Sequence, residues 1–373
     1  MARRPRDSVA FTVVVTVLVA LCAVPLALVV ALSGAPGTVL LATVLAALPV
    51  GPVVACFVWL DRYEPEPRRL LAAGLVWGGV VATAFALVLG GIGGLLVPVT
   101  EAASLAVVAP VTEELTKGLF LLLLLWWRRH ELDGVLDGIV YAGMVGVGFA
   151  FVENVLYLAA AYDGTDGVGP GGVEAVTGTF LVRCLFSPFA HPLFTAFTGI
   201  GVGIAVGARS GLVRVTAPLT GYALAVTAHA LWNGSTLFGF GGFLGTYLLL
   251  MVPAFFFVAG LSVWARRAEG RVLRIALEDA AARGLLPAVD VPWLVDLQAR
   301  RASRRHARAV GGPAMLAAVR DYQQAAVELG FLHHRYLRGT PPPDFAERGQ
   351  HFVARIHAVR PHVALPGQVV PAR

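Results

Sequence analysis

The sequence predicts an all-α fold: a polytopic transmembrane helix bundle of about eight spans, followed by a helical cytoplasmic region. Three observations carry that expectation. Hydrophobic residues make up 57% of the chain and charged residues 14%, with a mean hydropathy of +0.74, outside the range of ordinary soluble domains. Apolar runs recur at a length of roughly 20 residues, the requirement for one helical crossing of a hydrocarbon core. Basic residues occur in every second loop and are missing from the loops between.

The apolar runs lie at about 9–32, 38–60, 70–97, 102–127, 135–160, 182–206, 217–237 and 244–264. The first follows "MARRPRDS" and has the flanks of a signal peptide, but it is longer than a typical signal core and no clean cleavage site follows. It is therefore expected to be a retained helix. Arg3, Arg4 and Arg6 precede it; Arg62, Arg68 and Arg69 follow the second run, Arg128 and Arg129 the fourth, and Arg209 and Arg214 the sixth. The loops near 33–37, 98–101, 161–175 and 238–243 hold no lysine or arginine. Positive charge marks the cytoplasmic side, so the pattern predicts a multi-pass cell-membrane protein with both termini cytoplasmic.

One stretch is irregular. "GGVEAVTGTFLVRCLF" at 171–186 is apolar but carries Glu174 and Arg183, and Pro188 and Pro192 follow. It is expected to be either an interfacial helix or a kinked entry to the sixth span. Glycine-rich patches inside the spans ("GGIGG", "GMVGVG", "GIGVG") suit close helix packing in lipid and carry no chemistry. Cys22, Cys56 and Cys184 are scattered among apolar runs, which builds neither a disulfide framework nor a zinc knuckle.

Charge divides the chain into two expected domains, 1–264 and 265–373. The first carries 12 basic and 14 acidic groups, the second 17 and 9, so the whole excess of positive charge lies in the tail. "RVLRIALEDAAARGLL" and "PAMLAAVRDYQQAAVELGFLHHRYL" have helical periodicity, and "GTPPPDF" reads as a linker. Arg300, Arg301, Arg304, Arg305 and Arg308 form a basic cluster, read as a solvated helix face beside anionic lipid; no nucleic-acid partner is expected.

Away from the ends of the apolar runs, charged and histidine side chains are few: Glu113, Glu114, Lys117, Glu153, His191 and His229. Each costs about 2.5–3.5 kcal/mol or more near the bilayer centre, so such groups face the bundle interior and usually serve function. Counted at ~1.5 Å per residue, all of them fall in the middle to outer part of the bilayer, which predicts one shared site. Lys117 is the single lysine of the chain. It lies four residues after Glu113 and three after Glu114, within reach of both on one helical face. A lysine that neutralises one carboxylate leaves the second to be explained, and a carboxylate poised near neutrality is what a general base needs. In "AHALWNG", His229 and Asn233 share a face and form a donor pair suited to an oxyanion. Asn154, beside Glu153, is placed to orient it or to pack. Two histidines and a carboxylate also satisfy catalytic zinc, with His191, His229 and Glu153 as the ligands. A metal-bound water and a glutamate-activated water both stay open on these residues.

In ordered blocks over roughly residues 38–235 the chain resembles the PrsW family of bacterial intramembrane metalloproteases, related to the CAAX-processing and bacteriocin-processing membrane proteases. "DRYEPEP" is similar to the family's acidic cytoplasmic loop, and "APVTEELTKG" to its EExxK motif through Glu113, Glu114 and Lys117. "FAFVENVLY" is similar to the second block through Phe149, Glu153 and Asn154, "AHPLFTAFTG" to the third through His191, and "AHALWNG" to the fourth through His229 and Asn233. The resemblance implies a membrane-embedded endopeptidase, metallo- or glutamate-type, acting on membrane-anchored proteins; its best-known substrates are anti-sigma factors. It implies Glu113 as base, Glu114 or Glu153 assisting, and His229 with Asn233 at the oxyanion, with Lys117, Phe149 and Asn154 supporting. In the CAAX-processing relatives the second motif usually has a histidine where this chain has Glu153. Two other classes compete with this reading: a proton- or ion-coupled transporter, for which no internal repeat speaks, and a non-catalytic membrane scaffold, which would have no reason to keep the polar set buried.

Overall fold

The computed structural model describes residues 8–96, 100–165 and 170–367. Arg3, Arg4 and Arg6, and parts of the 98–101 and 161–175 loops, lie outside them. The chain is 86% helical with no strand among the described residues. Its principal helices are α1 (Val9–Ala31), α2 (Pro36–Ala47), α3 (Val50–Leu60), α4 (Arg68–Val76), α5 (Thr83–Leu96), α6 (Ala109–Trp127) and α7 (Val135–Asp163). They continue as α8 (Val173–Phe180), α9 (Ala190–Gly207), α10 (Gly211–Ser235), α11 (Val252–Ala282), α12 (Leu297–Leu337) and α13 (Phe345–Val359).

Among the described residues, six helical stretches are long and apolar enough to cross a membrane: Val9–Ala31, Pro36–Leu60, Arg68–Gly93, Val135–Asp163, Val173–Gly207 and Gly211–Ala282. Two physical causes separate this number from eight. Helix α6 bears Glu113, Glu114 and Lys117, and that charge keeps it out of a purely apolar class. The seventh and eighth runs are counted together in one stretch, Gly211–Ala282, although the chain leaves helical geometry between them at Gly239 (φ 66°, ψ −165°). The irregular 171–186 stretch is a kinked entry: α8 widens into a π-turn at Leu181–Phe186, and the helix breaks at Ser187 before α9 begins.

Two compact units divide the chain, one formed by residues 1–61 and 66–262, the other by 62–65 and 263–373. In the first, α7 is the central helix. Of its apolar window 78% is buried, against 11% for α1, so α1 is an outer helix. Helix α7 starts where the Asp137 carboxylate accepts the backbone N–H groups of Asp133 (2.7 Å) and Gly134 (2.9 Å), an N-terminal cap. Its crossing with α9 is backbone against backbone. A Cβ on Gly138 or on Gly199 would stand 2.1 Å from the other residue's carbonyl oxygen. Small residues at such crossings allow the close approach that drives helix association in lipid.

Helix α6 is fixed by polar contacts to a π-turn at Trp77–Ala82. The Trp77 indole donates to the Thr116 carbonyl (3.0 Å), and the Thr116 hydroxyl lies 3.2 Å from the Ala82 carbonyl. π-turns leave backbone carbonyls less evenly paired than an α-helix, and Thr116 makes use of one. The second unit has its own core around Leu273, Leu277, Leu294, Tyr322, Leu329 and Ile356. Its long α12 is bent at Gly312, whose φ of 64° suits a residue without a side chain, directly before Pro313.

Candidate active site

Four segments of the first unit deliver polar side chains to one buried cluster. Helix α6 supplies Glu113, Glu114 and Lys117, α7 supplies Glu153, α9 supplies His191 and Thr195, and α10 supplies His229. The middle of the cluster is the Lys117 ammonium, which is fully buried. It donates to Glu114 Oε1 (2.8 Å) and Glu113 Oε2 (3.3 Å), and lies 3.1 Å from His191 Nδ1. The Phe149 ring covers it at 3.7 Å, a cation–π contact inside a low-dielectric core.

Glu114 is saturated. Besides Lys117 it accepts from the Thr195 hydroxyl (3.0 Å) and pairs with His229 Nδ1 (3.0 Å). An ionised carboxylate accepts only, so this partner assigns the ring proton of His229 to Nδ1 and leaves a lone pair on Nε2. That Nε2 lies 3.8 Å from Glu113 Oε2. Phe194 stacks on the His229 ring at 4.7 Å and 15°, which fixes its plane. The two imidazoles are perpendicular, with centroids 5.2 Å apart.

His191 is held from both sides. Its Nδ1 faces Lys117, and its Nε2 lies 2.6 Å from Glu153 Oε2. The same carboxylate oxygen is engaged by Arg183, whose Nε donates to Asn154 Oδ1 (2.8 Å) and whose guanidinium covers the Tyr157 ring at 4.0 Å. Arg183 stands on the π-turn between α8 and α9. The register of α9 depends on Gly146, where a Cβ would meet the Pro192 backbone at 2.6 Å and the His191 carbonyl carbon at 2.8 Å.

Glu113, Glu114, Lys117, Glu153, His191 and His229 thus converge, with Phe149 lining the cluster and Asn154 bracing Arg183. Asn233 is different. Its amide donates to the Leu105 carbonyl at 3.2 Å, which ties α10 to the π-turn at Ser104–Val108. Sequence reasoning missed Arg183 as a partner of the cluster, and it missed Thr195 and Phe194. Arg183 had a signal: a permanent cation in an apolar stretch requires a carboxylate.

Among the described residues, Glu113, His191 and His229 offer donor atoms that all lie within 4.8 Å of one another. The expected third ligand, Glu153, is not in that group; its Oε2 is shared by Arg183 and His191, and His191 itself has Nδ1 facing Lys117 and Nε2 facing Glu153. Two imidazoles and a carboxylate fit zinc in ligand type. His229 is prepared for it, with Nε2 open and Nδ1 held by Glu114, the usual outer partner of a ligating histidine. Charge points the same way. With all five groups charged, the three carboxylates (Glu113, Glu114, Glu153) outnumber the two cations (Lys117, Arg183) by one, which favours a further cation. A proton or a metal ion supplies it.

These features define a helical membrane protein with a buried glutamate–histidine–lysine centre. Residues 66–258, more than half of the chain, match the family described as PrsW family intramembrane metalloprotease. The chain belongs to the PrsW family. It is 29% identical over 157 residues to Protease PrsW of Geobacillus kaustophilus (strain HTA426), covering 41% of this chain and 63% of that one. It is 31% identical over 84 residues to Protease PrsW of Oceanobacillus iheyensis (strain DSM 14371), covering 22% and 33% respectively. The matches thus span less than two thirds of the length of these relatives. No solved structure matches the chain.

Proposed function

We propose that this chain is an intramembrane endopeptidase of the cell membrane. It crosses the bilayer about eight times with both termini cytoplasmic, and it hydrolyses peptide bonds of membrane-anchored proteins, substrates of the anti-sigma-factor kind among them. The observation that carries this reading is the open pair formed by Glu113 Oε2 and His229 Nε2, 3.8 Å apart, inside an otherwise saturated polar cluster. Every other carboxylate in the cluster already has two or more partners.

In this reading Glu113 accepts a proton from the attacking water as its oxygen bonds to the scissile carbonyl carbon. The same carboxyl then returns the proton to the leaving amine as the C–N bond breaks. Lys117 holds Glu113 and Glu114 in place and offsets their charge. Glu114 fixes the His229 tautomer, and Glu153 with Arg183 orients His191. Phe149 and Phe194 keep bulk water from the centre. Glu113, His191 and His229 would hold a zinc ion, which when bound supplies Lewis-acid polarisation and a more acidic water. Without zinc the same residues serve a glutamate-activated water.

Glu113→Ala is expected to abolish cleavage of a membrane-anchored reporter in proteoliposomes while the protein still accumulates; unchanged cleavage rejects the proposal. Zinc content of the purified protein before and after His191→Ala and His229→Ala separates the two forms of the mechanism. Metal lost with either substitution supports the metalloenzyme, and full activity in strong chelator supports the metal-free route.

A further inference from the structure

The second unit contains a cluster of arginines around Tyr63 and the start of α12. Arg300 is its anchor, with 4% of its surface exposed. Its Nε bonds to the Leu294 carbonyl and its Nη1 to the Tyr63 carbonyl (3.1 Å), while its Nη2 is enclosed with no hydrogen-bond partner. Tyr63 organises the surroundings. Its ring packs against bare backbone at Gly270, and the guanidinium carbons of Arg266 and Arg300 lie 5.8 and 6.0 Å from its centroid. Arg304 is held by Gln323 Oε1 (2.6 Å), and Gln323 in turn donates to Ser303 (2.8 Å) and to the Arg300 carbonyl (3.3 Å). The Arg300 and Arg304 guanidinium groups are thereby held by neutral partners.

Repulsion within the cluster is visible in the titration of its members. Burial, and then Arg304, lowers Arg300 to about 10, with Tyr63, Asp296 and Glu64 acting in the opposite sense. Arg62 is lowered by burial and by Arg301 and Arg266, and Arg304 by burial and by Arg320 and Arg301. Asp296 already caps α12 through the Ala299 N–H (2.7 Å). Like charges held together at such cost are stabilised by a polyvalent anion, and planar guanidinium forks match phosphate oxygens bidentately.

We propose that Arg62, Arg266, Arg300, Arg301 and Arg304 form a binding site for a phosphate group. Two sources supply that chemistry, a soluble phosphate and an anionic phospholipid headgroup. Chain order makes the headgroup relevant, since Arg62 is the second residue after the apolar stretch that ends at Leu60.

The test uses the full-length protein in phosphatidylcholine nanodiscs, titrated calorimetrically with inorganic pyrophosphate. Saturable binding is expected, weakened about tenfold or more by Arg62→Gln with Arg301→Gln, residues that lie outside the hydrophobic core of the unit. The control is Arg305→Gln with Arg308→Gln, which removes the same charge from exposed positions of α12 and leaves the affinity within about twofold. Repeating the titration in nanodiscs containing phosphatidylglycerol identifies the source: displacement of pyrophosphate assigns the headgroup, undiminished binding assigns a soluble phosphate, and both sustain the site. Absence of saturable binding, or equal weakening by the control pair, overturns it.

Discussion

His229 Nδ1 lies 3.0 Å from Glu114 Oε1, and this contact decides what the other face of the imidazole can do. Glu114→Gln can present its amide N–H to Nδ1, which moves the ring proton to Nε2 and closes the lone pair facing Glu113. Activity on a membrane-anchored reporter, or zinc affinity where zinc is bound, is expected to fall about 10–100-fold. Circular dichroism should stay that of the parent. Equal activity would remove His229 from the chemistry.

Arg183 and Glu153 form the second test. Arg183→Met leaves the Glu153 carboxylate buried with only His191 opposite it, and removing one partner of a buried pair costs about 3–5 kcal/mol. The variant should melt well below the parent in detergent. The double variant Arg183→Met with Glu153→Gln should regain most of that loss, since no charge is then stranded. A double variant as unstable as the single one would show that Arg183 acts by packing on Tyr157 instead.

Much of this centre was legible in the sequence, and the limit is set by distance along the chain. Glu113, Glu114 and Lys117 are related by helical spacing alone, so their meeting follows from the period of α6. Depth counting brought His191 and His229 to the same level, because rise per residue is fixed. Partner choice across helices was not legible. His229 and Asn233 share a face as the spacing requires, yet Asn233 bonds to the Leu105 carbonyl, which a π-turn presents. π-turns have no sequence signature of their own, and an arginine in an apolar stretch calls for a carboxylate without saying which one, so its pairing with Glu153 could not be read. The same local reasoning divided the Gly211–Ala282 stretch near 238–243, where Gly239 does leave helical geometry.

Gly146 tests whether the position of His191 depends on close backbone contact. A methyl group there would stand 2.6 Å from the Pro192 backbone, which cannot yield as a flexible side chain could. Gly146→Ala should therefore push α9 away from α7 and separate His191 from Lys117. Loss of activity of at least tenfold is expected, with a destabilisation of about 1–3 kcal/mol from overpacking. Gly37→Ala, at a position with open space around it, is the matched control and should leave both quantities unchanged.

The carboxyls of the loop after α3 give a prediction in pH. Asp61 is buried, accepts the Glu66 N–H at 2.8 Å, and is pushed up to about 8, chiefly by burial with a further contribution from Asp137. Glu66 is raised well above its usual range by burial and by Asp137, although Tyr141 donates to it at 2.6 Å. A raised carboxyl holds its proton in the folded state over a range where the unfolded chain has lost it. Its stabilising contribution is therefore complete below the unfolded value of about 4 and is lost as pH rises through about 8. The melting temperature of the purified protein should fall between pH 5 and 8.5 (approximate bounds). Asp61→Asn keeps the carbonyl acceptor for the Glu66 N–H and has no proton to lose. The variant should flatten that fall and melt above the parent at the alkaline end; a parallel pH profile would mean that Asp61 is ionised throughout.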